Sequence, residues 1–132
     1  MSAAESRRRP RVPARLGAAG KALWRDLVDD YEFAPHELRL LAQACACLDV
    51  IADLEAQVSR DGTMIDGSKG QRVLHPAIAE ARQQRMALGR LLAQLRIPDE
   101  GGRPSVASAT ELRARRAAQV RWQRERGYGA TA

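Results

Sequence analysis

Aromatic residues are scarce in this chain, with two Trp, two Tyr and one Phe among 132 residues, and β-branched residues are thinly scattered among Ala and Leu. A sheet-based core draws on both kinds, so their shortage favours helices. No apolar run approaches the roughly 20 residues of a membrane-spanning helix, and the arginine-rich start leads into no apolar signal core. A soluble, intracellular protein of the cytoplasm is expected. Cysteine is limited to Cys45 and Cys47, and histidine to His36 and His75. Two residues apart on a helix, the cysteines point about 200° apart around the axis, so they neither bridge each other nor pinch a metal. They read as small core hydrophobes in a reducing compartment, with no metal site implied.

Positioned catalytic groups are missing too. Gly67, Ser68, Lys69 and Gly70 lack the G-x-x-x-x-G-K-[ST] frame whose backbone amides cradle phosphates. The few serines have no histidine in a nucleophile setting, and the acidic residues spread along helices as solvated faces. His75 precedes Pro76 and reads as a helix cap, and His36 falls in a first helical turn. The chain is therefore read as non-enzymatic and without a cofactor.

What is abundant is positive charge, sorted to the ends. Residues 1–15 carry Arg7, Arg8, Arg9, Arg11 and Arg15 against Glu5, and residues 103–132 carry seven arginines against two glutamates. The 87 residues between hold ten cations and thirteen carboxylates. A body with two arginine-rich arms suits a polyanion, because clustered arginines neutralise phosphates with little sequence reading. Lys21 and Arg25 extend the N-terminal basic surface, and Lys69 and Arg72 form a second one. These nine residues are the candidate DNA contacts, although each taken alone reads more safely as a solvated surface charge.

Four segments are expected: a disordered basic arm over 1–15, a helical oligomerisation core over 16–98, a Pro/Gly/Ser/Ala-rich linker over 99–109, and a basic helix or tail over 110–132. The spacing of Leu23, Trp24, Leu27, Val28 and Tyr31 predicts a first helix over 18–31. Pro35 suits the first turn of a second helix that runs to about Arg60, some 38 Å. That helix shows two apolar stripes: Leu38, Leu41, Cys45, Leu48 and Ala52, then Leu40, Ala44, Cys47, Ile51, Leu54 and Val58. A face so wide predicts two partners. The second stripe, with Leu88 and Leu92, is the expected oligomerisation surface, and a core this short gains from assembly.

After Gly62, Thr63–Ile65 and Arg72–Leu74 flank a polar turn and predict a short β-like tongue or ordered loop. Pro76 opens a third helix running to about Arg96, before Pro98, and folded back antiparallel it brings Arg85 level with Asp49 and Asp53. Thr110 can cap a last helix in which Arg113, Arg115, Arg116, Arg121 and Arg124 surround Trp122. An indole in a charged tail has little to pack on until a partner supplies it, so this is the expected partner-binding segment.

The pattern resembles the small terminase subunits of tailed double-stranded DNA phages. The resemblance rests on L-G-A-A-G-K-A-L-W from Leu16, A-P-H-E from Ala34, the helix ending in Asp61 and Gly62, G-S-K-G-Q-R-V-L-H-P from Gly67, and the Ala/Arg-rich tail from Ala114 to Arg126. It implies a mainly helical, non-enzymatic protomer that forms a ring larger than a tetramer in the bacterial host cytoplasm. It also implies binding of viral double-stranded DNA and delivery to the large terminase subunit, which holds the ATPase and nuclease. No recognition helix of the helix-turn-helix kind is legible, so direct base reading is not implied. The tail's role stays open between docking on the large subunit and extra DNA contact. Two other readings stand beside this one: a small dimeric DNA-binding regulator, and a helical adaptor whose basic arms meet acidic proteins.

Overall fold

The computed structural model describes residues 9–97. The element order is α1 (Ala18–Asp30), α2 (Pro35–Asp61), β1 (Met64–Asp66), β2 (Arg72–Leu74) and α3 (Pro76–Leu95). The chain is thus mainly helical, with a two-stranded tongue between its long helices, and each helix end lies within one residue of its expected position. Local chemistry explains the ends. Pro35 and Pro76 occupy first-turn positions where a missing N–H costs nothing. Glu37, buried, reaches back to the Ala34 N–H at 2.8 Å, supplying the half of a capping box that Ala34 cannot. Gly62, at φ 84, stops α2 in a conformation that a side chain resists.

Helices α2 and α3 form an antiparallel hairpin. Ala77, Ile78 and Ala81 at the start of α3 line a crevice with Leu54 and Val58 near the end of α2, while Leu95 at the other end of α3 clusters with Leu41 and Cys45. The antiparallel packing was expected, but the partner of Arg85 is different. Its guanidinium bonds Glu55, while Asp49 is engaged elsewhere and Asp53 is exposed. Successive residues turn by about 100°, so Glu55 sits on the α3 side of α2 whereas Asp49 points to α1.

Helix α1 has no cap from its own N-cap residue, Gly17. Asp49 of α2 substitutes across space: its carboxylate accepts from the Gly17 and Gly20 N–H groups, each at 2.7 Å. A carboxylate suits a helix N-terminus because it satisfies orphan donors and complements the helix dipole. The approach is close enough that a Cβ on Gly20 would lie 2.7 Å from the Cys45 carbonyl oxygen. Around this crossing sits the core: Leu16, Trp24, Phe33, Leu41, Cys45 and Leu95.

The basic arm's described part, 9–15, is not the unpacked segment expected for 1–15. Val12 packs on the core, the Trp24 indole N–H donates to the Pro10 carbonyl at 3.4 Å, and Arg9 pairs with Asp29 at 3.4 Å. A buried indole needs an acceptor, and the proline-stiffened segment brings one to it. Arg7, Arg8, the expected linker and the expected C-terminal helix lie outside the described residues.

In the tongue, Met64, Ile65 and Asp66 pair with Leu74, Val73 and Arg72 in turn. The ladder closes at its base through His75 N–H to the Thr63 carbonyl, 2.7 Å. The buried His75 ring joins three elements: Nδ1 accepts from the Ala77 N–H at 3.1 Å, capping α3, and Nε2–H donates to Asp61 of α2 at 2.9 Å. The expected cap is present. Replacing His75 with alanine removes a cap and a charge-assisted bond, at an expected cost of about 1–2 kcal/mol. His75→Asn, which keeps a capping acceptor, should recover part of it. Urea midpoints of the two variants check this, and equal losses would rule out capping as the main contribution.

Candidate nucleic-acid interface and assembly surface

Two surfaces answer to the sequence expectations, one basic and one apolar. Of the nine candidate DNA contacts, Arg9, Arg11, Arg15, Arg25, Lys69 and Arg72 are exposed and Lys21 is half-buried; Arg7 and Arg8 lie outside the described residues. Arg9 to Lys21 and Arg25 belong to one end of the molecule, along the irregular segment before α1 and α1 itself. Lys69 and Arg72 belong to the tongue at the far end of the hairpin. The structure therefore gives two separate groups.

Arg72 also has work inside the tongue. Its guanidinium donates to Asp66 at 3.2 Å and to the Met64 carbonyl at 3.0 Å, bracing one strand to the other. Such an exposed brace contributes little stability, so it leaves the arginine able to exchange partners. Among the described residues, no carboxylate forms an ion pair with Arg11, Arg15, Arg25 or Lys69.

The apolar surface follows α2, but the second stripe is divided by its packing. Ala44 and Ile51 are buried within the chain, at 0% and 5% exposure, and are not available to a neighbour. Leu40, Cys47, Leu54 and Val58 stay half-buried, and Val50, outside either stripe, is exposed at 39%. The reason is that α2 packs on α1 and α3 from two directions, and helical spacing alone does not say where those directions lie. On α3, Leu88 and Leu92 are half-buried, Leu92 against the core. Between the far halves of α2 and α3 opens a crevice of about 250 Å³, with apolar walls from Leu54, Val58, Ala77, Ile78 and Ala81 and the Arg85–Glu55 pair at its edge.

The cysteines behave as expected of small hydrophobes. Cys45 is fully buried, and desolvation, with the Asp49 carboxylate nearby, pushes its thiol up to about 11. Its thiolate form is correspondingly rare at neutral pH. A thiol reagent should therefore label one cysteine per folded chain, Cys47, and both after denaturation; equal rates in the folded protein would contradict the burial. Because the raised value belongs to the folded chain, Cys45 contributes stability that is complete below about pH 9 and fades as pH rises towards 11.

Three features escaped sequence reasoning. Asp49 reads as a solvated acid, and only the α1–α2 crossing shows it to be a cap. Val50 and Met86 fall outside the stripes yet are exposed at 39% and 50%. Arg82 and Arg90 of α3 share an exposed face, for which helical spacing was an available signal. Among the described residues no group of three or more His, Cys, Asp or Glu can hold a metal, and no helix is long and apolar enough to cross a membrane.

A family model described as phage terminase, small subunit, matches residues 20–97, a stretch that begins within α1 and ends just past α3. Comparison with curated proteins and with solved structures gave no match.

Proposed function

The chain belongs to the phage terminase small-subunit family, whose role is phage DNA packaging, and within that role we propose that it is a non-enzymatic assembly factor. It forms a ring of more than four copies, holds viral double-stranded DNA through its arginines, and delivers that DNA to the large terminase subunit, which supplies the ATPase and nuclease.

One observation carries this reading: the hairpin is too thin for its apolar content. The largest fully buried side chains, Leu41, Cys45 and Leu95, all lie at the end that α1 covers. Towards the tongue the hairpin is two helices thick, and Leu54, Val58, Ile78 and Leu88 remain half-buried. A neighbouring copy laid along α2 covers them and completes the layer that is missing among the described residues. Repeating the subunit also repeats its arginines, so individually weak phosphate contacts sum to useful affinity. The C-terminal segment with Arg113, Arg115, Arg116, Arg121, Trp122 and Arg124 is assigned to the large subunit or to further DNA contact.

Light scattering on the full chain tests the assembly. A defined species above a tetramer is expected. A monomer or dimer at micromolar concentration would overturn the ring and favour a small DNA-binding regulator. Absence of duplex DNA binding at moderate salt would favour an adaptor for acidic proteins.

A further inference from the structure

The three helices differ in charge sign. Helix α1 has two cations against three carboxylates, α2 two against five, and α3 three, Arg82, Arg85 and Arg90, against Glu80 alone. Glu80 accepts from Gln84 at 3.1 Å and lies about 160° around the helix from Arg82. Arg85 is held by Glu55. That leaves Arg82 and Arg90, both exposed, and among the described residues no carboxylate forms an ion pair with either. They are eight residues apart, about 12 Å along the axis and about 80° around it, so they share one face. Exposed Met86, Gly89 and Ala93 occupy the same sector of about 100°.

Gly89 separates this face from an ordinary solvated one. A glycine inside a helix costs about 1 kcal/mol relative to alanine. Among the described residues nothing requires it, since a Cβ at Gly89 would meet none of their atoms within 4 Å. With Ala93 beside it, the face is low along one side of the row formed by Arg82, Met86 and Arg90, and a bulky charged surface can approach the helix backbone closely there.

We infer that the outward face of α3, centred on Arg82, Gly89 and Arg90, is a docking surface for the phosphate backbone of double-stranded DNA. This rests on the DNA-binding reading above and adds a site to it, separate from the N-terminal segment, α1 and the tongue. Charge selects the ligand: the face offers guanidinium groups with no competing carboxylate, whereas α2, net acidic, repels the same ligand. About 12 Å of duplex axis presents roughly seven phosphates, enough for both arginines to find partners without base contacts.

The test uses the full chain and a fluorescent duplex titrated by anisotropy at several salt concentrations, with solution mass measured in parallel. Two variants are compared with the parent: the double substitution Arg82→Ala with Arg90→Ala, and Gly89→Glu, which sets a carboxylate in open space and touches nothing in the fold. The double variant should bind roughly tenfold more weakly with a log–log salt slope shallower by about two, and Gly89→Glu should also bind more weakly. Both should keep the parent's mass. Parental affinity and slope in both variants would overturn the α3 site while leaving DNA binding to the other arginines. Loss of mass would overturn it in favour of a contact between copies. No binding by the parent itself would overturn the DNA reading on which the site rests.

Discussion

Gly20→Ala should destabilise the protein by about 2–4 kcal/mol, although helix propensity alone predicts a gain of about 1 kcal/mol. The opposing term is steric. The added methyl would lie 2.5 Å from the Asp49 carboxylate and 2.7 Å from the Cys45 carbonyl oxygen. The carboxylate can rotate away, but only by abandoning the Gly17 and Gly20 amides that it caps; the carbonyl belongs to α2 and cannot move without bending the helix. Lifting α1 instead loosens Trp24 and Leu16 from the core. Gly89→Ala supplies the control, because its Cβ meets nothing and the propensity gain should appear undiminished. Urea midpoints should move in opposite directions for the two variants. A gain at both positions would mean that the α1–α2 crossing has slack that the distances deny.

Leu41→Ala should be at least as damaging, at about 2–5 kcal/mol. Leu41 has no exposed surface and belongs to the cluster formed by Trp24, Phe33, Cys45 and Leu95. Three helices enclose it, which limits how far its surroundings can relax into the space left behind. Small domains are stable by about 5–15 kcal/mol in total, so a large part of the folded population is at stake. Leu54→Ala provides the contrast. Leu54 is only half-buried at the crevice, so the protomer should lose far less stability while the assembly loses mass. Chemical denaturation and light scattering on both variants separate the two roles. Equal loss of stability would mean that the core extends along the hairpin instead of ending where α1 ends.

Helices were legible because their signals are local. Pro35, Gly62, Pro76 and the leucine spacing act within one or two turns, and they marked ends that lie within a residue of the observed ones. The tongue was legible from its glycines and flanking apolar triplets, and the His75 cap from its place before Pro76. Contacts between elements were less accessible. Nothing near Asp49 in sequence announces that its partners are amides 32 and 29 residues earlier. Arg85 was brought to the correct stretch of α2 but to the wrong acid, because a helical wheel gives relative angles and not the direction of the neighbour. The same ambiguity put Ala44 and Ile51 in the outward stripe, whereas both are buried within the chain. For the basic surface, composition drew attention to the arginine-rich ends. The arginines of α3 were overshadowed, although their spacing on one helix face and the single acid of that helix are legible in its sequence; the folded arrangement adds that no described carboxylate pairs with Arg82 or Arg90.

The tongue's base has one more consequence. The Thr63–His75 and Asp61–His75 bonds bring the end of α2 and the start of α3 together independently of what the chain does between them. The turn at Gly67 to Gly70 therefore hangs from a closed neck, and its length does not enter the register of the long helices. Doubling a flexible loop adds only about 0.6 kcal/mol of closure entropy. Residues can accordingly be added or removed at this tip while the hairpin keeps its geometry, and a reporter peptide has a natural point of insertion.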